Sequence, residues 1–140
     1  MSCTYNNAWC NWTDIWKPIV ISTGVEGWSR ATRQEIKGNT FVKDINAVYV
    51  SLNYRLGALG FNPLSALKTG TDLENSGNYS LLDIAAALDW IQENIEVFGG
   101  DKNNVTLTGF SAGGRDVMAT LISPLFEGKY HKAISFSGGM

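Results

Sequence analysis

Apolar positions fall into short runs near the start of the chain, and these runs predict strands. Residues 18–22 and 47–53 are rich in β-branched side chains, and we expect both to be buried strands. Between them, residues 30–44 predict one irregular helix, which Gly38 and Asn39 interrupt. Residues 56–77 are rich in Gly, Asn, Thr, Ser and Pro, which predicts a long surface loop.

The clearest periodic pattern covers residues 78–97 and predicts an amphipathic helix. Asn78 is expected to cap its start, and Gly99 with Gly100 is expected to end it, because glycine tolerates the left-handed backbone of a helix stop. Large apolar residues recur at spacings of three and four and form one stripe, made of Leu81, Ile84, Ala85, Leu88, Ile91 and Ile95.

The remaining pattern alternates strands with helices. It predicts a strand over residues 105–108, a glycine-rich turn, a helix from about Gly114 to Ile122, and a last strand over residues 132–136. Strands that alternate with helices pair in parallel through right-handed crossovers. The predicted fold class is therefore α/β, a mostly parallel sheet with helices on both faces.

Composition and charge limit the number of domains and the kinds of ligand that the chain is expected to bind. The 140 residues allow one domain, and 44% hydrophobic residues suffice for a core. With a net charge of −2, the chain does not resemble the basic footprint that nucleic acid requires, and no nucleic-acid partner is expected. His131 is the single histidine, so no multi-histidine metal site can be built from one chain, and no metal or organic cofactor is suggested.

The compartment stays open at this stage. Cys3 and Cys10 fit either two free thiols or one local disulfide. The residues after Met1 do not have the pattern of a signal peptide, and no apolar run approaches the length of a membrane span. Secreted and cytoplasmic locations are both compatible with these observations.

The glycine-rich turn Gly109-Phe110-Ser111-Ala112-Gly113 matches the pattern G-x-S-x-G. The pattern alone is weak in a chain with 15 glycines, and a purely structural turn is the alternative. Its position between a predicted strand and a predicted helix favours a nucleophile elbow. Ser111 would then stand at the carboxyl end of the sheet, and the Ala112 N–H would face an oxyanion. A Cβ on Gly109 or Gly113 would collide with neighbouring elements.

Several separated motifs occur in order along residues 47–140. They are Asn53-Tyr54-Arg55-Leu56-Gly57, Asn78-Tyr79-Ser80-Leu81-Leu82-Asp83, Phe98-Gly99-Gly100-Asp101, the serine turn itself and Ser137-Gly138. Together these motifs resemble the type-B carboxylesterase family, which includes cholinesterases, some lipases and the non-catalytic neuroligins. Residues 1–17 match no part of the family pattern and form an unassigned leader segment.

The resemblance implies an α/β-hydrolase fold and ester hydrolysis through an acyl-enzyme on Ser111. It also implies that the backbone N–H groups of Glu26, Gly27 and Ala112 form the oxyanion hole. The Glu26 carboxylate would repel an oxyanion unless it points away, so either this loop is rebuilt or the alignment of its strand is wrong. Phe110 stands where the family commonly has Glu.

His131 is not expected to be the base for Ser111. It directly precedes the last predicted strand, so it should lie at the amino edge of a parallel sheet, opposite Ser111. Asp116 is interpreted as a charge favourable to the helix N-terminus. Since the family places the acid and the histidine further along the chain, residues 1–140 are expected to be the amino-terminal portion of one α/β-hydrolase domain, inactive in isolation.

The expected partners are a small carboxylic ester and the remaining carboxyl-terminal part of the same protein. One alternative is a catalytically silent α/β-hydrolase relative that binds or adheres, which the altered residues 24–26 favour and the intact Ser111 disfavours. A second alternative is a module that binds through an exposed sheet edge after Phe136.

Overall fold

The computed structural model describes residues 17–22, 42 and 44–139. Cys3, Cys10, the loop at residues 24–27 and nearly all of the predicted helix at residues 30–44 lie outside these ranges. The described residues form a four-stranded parallel sheet with the order β2-β1-β3-β4. The strands are β1 (Lys17–Ser22), β2 (Val48–Ser51), β3 (Gly100–Phe110) and β4 (Lys132–Phe136).

One face of the sheet forms the core. Ile19 lies in register between Val48 and Val105, and Ile21 lies between Val50 and Leu107. Because alternate residues of a strand point to the same face, these side chains share one face. The helices that follow β2 and β3 pack on this face, and they add fully buried side chains to the same cluster: Ile84, Leu88, Ile91 and Val117.

The amphipathic pattern predicted the long helix correctly. Helix α3 spans Tyr79–Asn94 and continues as a 3₁₀ turn over Ile95–Phe98. Gly99 ends it with a φ of 78°, in the left-handed region that glycine favours. Asn78 is the N-cap residue, as predicted, but its side chain makes no capping hydrogen bond; its backbone oxygen accepts from the Leu81 and Leu82 N–H groups.

The region predicted as a long loop contains three short helical segments. They are α1 (Gly57–Gly60), a 3₁₀ turn over Ser65–Leu67 and α2 (Asp72–Asn75). Helix α2 begins with a capping box in which Thr71 Oγ1 accepts from the Glu74 N–H and Glu74 accepts from the Thr71 N–H. The segment lies at the surface as predicted, but its interior is not structureless.

Other boundaries also differ from the pattern, and β2 is shorter than the predicted residues 47–53. Strand β3 is longer than predicted at both ends, because it includes residues 109–110 and residues 100–104, and an apolar pattern does not count the polar side chains of residues 101–104. Helix α4 spans Ala112–Ile122 and so starts directly after Ser111. Strand β4 has the predicted bounds and lies at one edge of the sheet. In the described ranges, no helix has the length and apolarity needed to cross a membrane.

Candidate active site

The strand connections diverge at the carboxyl edge of the sheet, between β1 and β3. The connection that leaves β1 leads to β2 on one side, whereas the connection that leaves β3 leads to β4 on the other side. In open α/β sheets, ligands bind where neighbouring connections diverge in this way. Ser111 directly follows β3, so it stands beside the point where the connections diverge.

Ser111 has the backbone of a strained turn. Its φ is 55° and its ψ is −116°, a conformation that residues with a Cβ rarely adopt. Its N–H donates to the Phe136 carbonyl at 2.8 Å, and its own carbonyl accepts from the Arg115 N–H at 3.1 Å. These bonds fix the serine between β4 and the first turn of α4, with the residue exposed to solvent.

The first turn of α4 approaches the end of β4 closely at two glycines. A Cβ on Gly114 would lie 2.9 Å from the Phe136 carbonyl oxygen and 3.0 Å from the Gly138 Cα. Ser135 Oγ donates to the Gly114 carbonyl at 2.9 Å and so links the two segments. This close approach requires glycine, because the neighbouring atoms belong mostly to backbone.

The predicted site residues are only partly within the described ranges. Ala112 is the first residue of α4, where backbone N–H groups have no acceptor within the helix. Gly109 pairs with Ser135 in the β3–β4 register, and Gly113 is buried in the first turn of α4. Glu26 and Gly27 lie outside the described ranges, so their part in an oxyanion hole stays a prediction.

His131 directly precedes β4 and lies beside Val105, in the middle of β3. Its N–H donates to the Val105 carbonyl at 2.9 Å, and its Nδ1 accepts from the Val105 N–H at 3.2 Å. At about 3.3 Å per residue, the strand separates Val105 from Ser111 by roughly 20 Å. A general base must come within about 3 Å of the proton that it removes. This separation agrees with the expectation that His131 does not serve Ser111, which stays a prediction.

The predicted interaction of Asp116 with the helix N-terminus is wrong. Helix α4 begins at Ala112, and its first turn contains no acidic residue. Asp116 instead accepts a hydrogen bond from the Tyr54 hydroxyl at 2.7 Å. Burial raises the pKa of Asp116, and the bond from Tyr54 offsets only part of that shift. Burial, followed by the nearby Asp116 charge, raises the pKa of Tyr54 well above its ordinary value.

Arg55, the residue after Tyr54, binds helix α3. Its Nε and Nη2 donate to the Asp83 carboxylate of α3, the latter at 2.6 Å, and its guanidinium lies 5.2 Å from the centre of the Tyr79 ring. Hydrogen bonds from Arg55 lower the pKa of Asp83. Ser80 Oγ donates to the Arg55 carbonyl. Tyr54 and Arg55 therefore attach the segment after β2 to α4 and α3 respectively.

Some of these contacts have a local sequence pattern that indicates them, and others do not. The Thr71-x-x-Glu74 capping box is visible in the sequence and could have placed α2. The Tyr54–Asp116 bond and the Gly114–Gly138 contact join residues far apart in the chain, and no local pattern indicates them.

A parallel sheet with a strained serine turn between a strand and a helix at its carboxyl edge defines an α/β hydrolase. A sequence model of the carboxylesterase family matches residues 15–140. The chain belongs to the carboxylesterase family.

Curated relatives agree with this assignment. The chain is similar to the Crystal protein of Dictyostelium discoideum, with 55% identity over 89 residues, or 64% of this chain and 15% of that protein. It is 54% identical to Esterase E4 of Myzus persicae over 91 residues, 65% of this chain and 15% of that protein. It is 46% identical to the para-nitrobenzyl esterase of Bacillus subtilis over 101 residues, 72% of this chain and 20% of that protein.

Solved structures agree as well. A PNB esterase superposes with a TM-score of 0.76 at 38% identity, covering 86% of this chain and 25% of that one. A carboxylesterase of Geobacillus stearothermophilus gives a TM-score of 0.76 at 32% identity, covering 85% of this chain and 26% of that one. The chain thus spans about a quarter or less of the length of these proteins.

Proposed function

We propose that the protein hydrolyses small carboxylic esters through an acyl-enzyme on Ser111. The observation that supports this most directly is the Ser111 backbone, which is held in a conformation that costs about 1–3 kcal/mol. Such strain persists where the surrounding structure imposes it, and it clusters at functional sites. Here β3, α4 and the Phe136 carbonyl impose it.

The proposed reaction has two stages. Ser111 Oγ attacks the ester carbonyl carbon while a base takes the hydroxyl proton, and the tetrahedral oxyanion then expels the alcohol, which receives that proton. Water next attacks the acyl-enzyme and releases the acid and free Ser111. The Ala112 N–H, with those of Gly27 and Glu26, would bind the oxyanion. The elbow glycines Gly109 and Gly113 allow the turn.

The base belongs elsewhere in the protein under this proposal, because His131 lies at the opposite edge of the sheet from Ser111. The ester and the rest of the protein are then the two partners that this segment needs. We expect the isolated 140-residue chain to hydrolyse p-nitrophenyl acetate no faster than its Ser111→Ala variant. A Ser111-dependent burst followed by turnover would contradict this expectation.

Covalent labelling of the whole protein by a fluorophosphonate tests the proposal. We expect labelling of the wild type and its loss in Ser111→Ala. Ser51→Ala is the matched control, because Ser51 is an exposed serine at the carboxyl end of β2, on the same edge of the sheet. Absence of labelling in a folded wild-type protein would overturn the proposal and favour a catalytically silent binding relative.

A further inference from the structure

The Tyr54–Asp116 hydrogen bond crosses the carboxyl edge of the sheet beside the proposed nucleophile. Tyr54 lies in the segment after β2, whereas Asp116 belongs to α4, which follows β3. Strand β1 lies between β2 and β3, so the two segments leave strands that are about 10 Å apart, twice the usual strand spacing. The bond therefore links the two sides of the point where the strand connections diverge.

Core packing holds both partners of this bond. Tyr54 packs against the buried hydrophobic cluster, and Val117, the residue after Asp116 on α4, is fully buried in the same cluster. Side chains that are already fixed by packing lose little rotamer freedom when they bond to each other. The 2.7 Å bond thus limits the movement of α4 relative to the segment after β2.

Asp116 lies on the side of α4 that carries Ala112, the residue whose N–H would bind the oxyanion. It comes four residues after Ala112, and positions i and i+4 of a helix are neighbours on one side. Helical side chains also lean toward the N-terminus of their own helix, which directs the Asp116 carboxylate back toward the first turn. Tyr54 therefore holds α4 on the side where Ala112 lies.

The opposite side of the same turn is attached to β4. Ser135 Oγ donates to the Gly114 carbonyl, and the Ser111 N–H donates to the Phe136 carbonyl. In the sheet order, β4 is on one side of β3, whereas β2 is on the other side, beyond β1. The start of α4 is thus held from two sides, and the Tyr54 bond is on the side away from β4.

We propose that Tyr54 and Asp116 are positioning residues, which hold Ser111 and the Ala112 N–H at the distances that the transition state of ester hydrolysis requires. This inference rests on the proposed function. The two side chains act through the first turn of α4 and not by contact with the ester. A displacement of about 1 Å at a reacting group can lower a rate about 100-fold, so even a small shift of this turn affects the rate.

The test measures kcat and KM of the whole protein and its variants with p-nitrophenyl acetate. We expect Tyr54→Phe to lower kcat about 10-fold and to change KM less than about twofold, because positioning affects the transition state and not ester binding. Asp116→Ala should show the same loss. Asp116→Asn should retain most of the activity, because its amide oxygen still accepts from the Tyr54 hydroxyl. An unchanged kcat in both Tyr54→Phe and Asp116→Ala would overturn the inference.

Asp83→Ala is the matched control for general damage. It removes the ion pair of Arg55, the residue after Tyr54, and so detaches the same segment from α3 rather than from α4. We expect its kcat to stay within about twofold of the wild type when all rates are expressed per folded protein, measured by circular dichroism. A loss in Asp83→Ala equal to that in Tyr54→Phe would overturn the inference.

A double variant tests whether the two residues act through one bond. Tyr54→Phe combined with Asp116→Ala should lose no more kcat than either single change, because each change already removes the bond. Losses that multiply in the double variant would show that the two residues act independently and would overturn the inference.

A binding measurement separates this inference from the proposed hydrolysis. Ser111 Oγ adds to the carbonyl carbon of phenethyl trifluoromethyl ketone, its proton passes to the base, and the resulting oxyanion accepts from the Ala112 N–H. Phenethyl methyl ketone is less electrophilic and binds without this adduct. In calorimetry, we expect Tyr54→Phe to bind the trifluoromethyl ketone about 10-fold more weakly and the methyl ketone as the wild type does.

The two possible failures give different results in this measurement. Equally tight binding of the trifluoromethyl ketone to the wild type and to Ser111→Ala would overturn the proposed function. Binding that depends on Ser111 but is unchanged in Tyr54→Phe would leave the proposed function in place and overturn the positioning role of Tyr54 and Asp116.

Discussion

The Tyr54 hydroxyl donates a hydrogen bond of 2.7 Å to the Asp116 carboxylate and thereby attaches the segment after β2 to the second turn of α4. Asp116 lies on the same helix whose first residue follows Ser111. Both groups are partly buried, and burial raises both pKa values. The bond therefore satisfies two polar groups that would otherwise be costly to remove from water.

Replacement of Tyr54 by Phe tests the stability that this bond provides. We expect Tyr54→Phe to lower the free energy of unfolding by about 1–3 kcal/mol, because it leaves the buried Asp116 carboxylate without its donor. Urea denaturation followed by circular dichroism measures the change. Tyr49→Phe is the matched control on β2, and it should alter stability by less than about 0.5 kcal/mol. Equal effects of the two variants would show that the hydroxyl of Tyr54 adds nothing.

The raised pKa of Asp116 predicts a pH dependence with a definite sign. Between the ordinary pKa of about 4 and the raised value, the folded chain binds more protons at Asp116 than the unfolded chain does. The Asp116 contribution to stability therefore falls as the pH rises through this window. The Asp116→Asn side chain cannot ionise, so the free energy of unfolding of this variant should not show the decrease. Urea denaturation at a series of pH values from 4 upward measures it.

The pKa of Asp83 is shifted in the opposite direction from that of Asp116, so the two groups affect stability in different pH ranges. Asp83, whose pKa is lowered by hydrogen bonds from Arg55, contributes a slope of opposite sign, with stability lost as the pH falls below about 4. Asp72→Asn, at an exposed position on α2, should keep the wild-type decrease above pH 4. A wild-type slope retained in Asp116→Asn would contradict the assignment.

The sequence predicted those elements whose residues are close together in the chain. The stripe from Leu81 to Ile95 predicted α3, because a helix repeats its buried face within a few residues. The apolar run at residues 132–136 predicted β4 with its observed bounds. The serine turn was predictable because G-x-S-x-G falls between two such patterns.

Contacts between distant segments could not be predicted in this way. Tyr54 and Asp116 are 62 positions apart, and only the folded sheet brings their segments together. The sequence located the N-cap of α3 at Asn78 correctly but did not indicate its bonding, because the Asn78 backbone carbonyl, and not its side chain, accepts hydrogen bonds from the first turn. A capping residue type indicates where a helix can begin, but the backbone angles of that residue decide how the first turn is bonded.

Addition of a methyl group at Gly114 tests the close approach of α4 to the end of β4. Alanine normally stabilises a helix relative to glycine by about 1 kcal/mol. We expect the reverse here, a loss of about 1–3 kcal/mol in Gly114→Ala, because the added Cβ would lie 2.9 Å from the Phe136 carbonyl oxygen. Gly139→Ala is the control, since its Cβ would meet nothing within 4 Å. A stabilised Gly114→Ala would show that the two segments separate easily.

Replacement of Ser111 by glycine tests whether the proposed nucleophile is held under strain. At a φ of 55° and a ψ of −116°, a Cβ costs about 1–3 kcal/mol, which glycine does not incur. We expect Ser111→Gly to raise the free energy of unfolding by about 1–2 kcal/mol, the middle of the range that remains after the extra chain entropy of glycine, about 0.4–1 kcal/mol, is subtracted. Ser111→Ala retains the Cβ and should show no such gain, although both variants remove the hydroxyl. Equal stabilities of the glycine and alanine variants in urea denaturation would show that the turn is relaxed, and the stability of the elbow would then have to be explained without backbone strain.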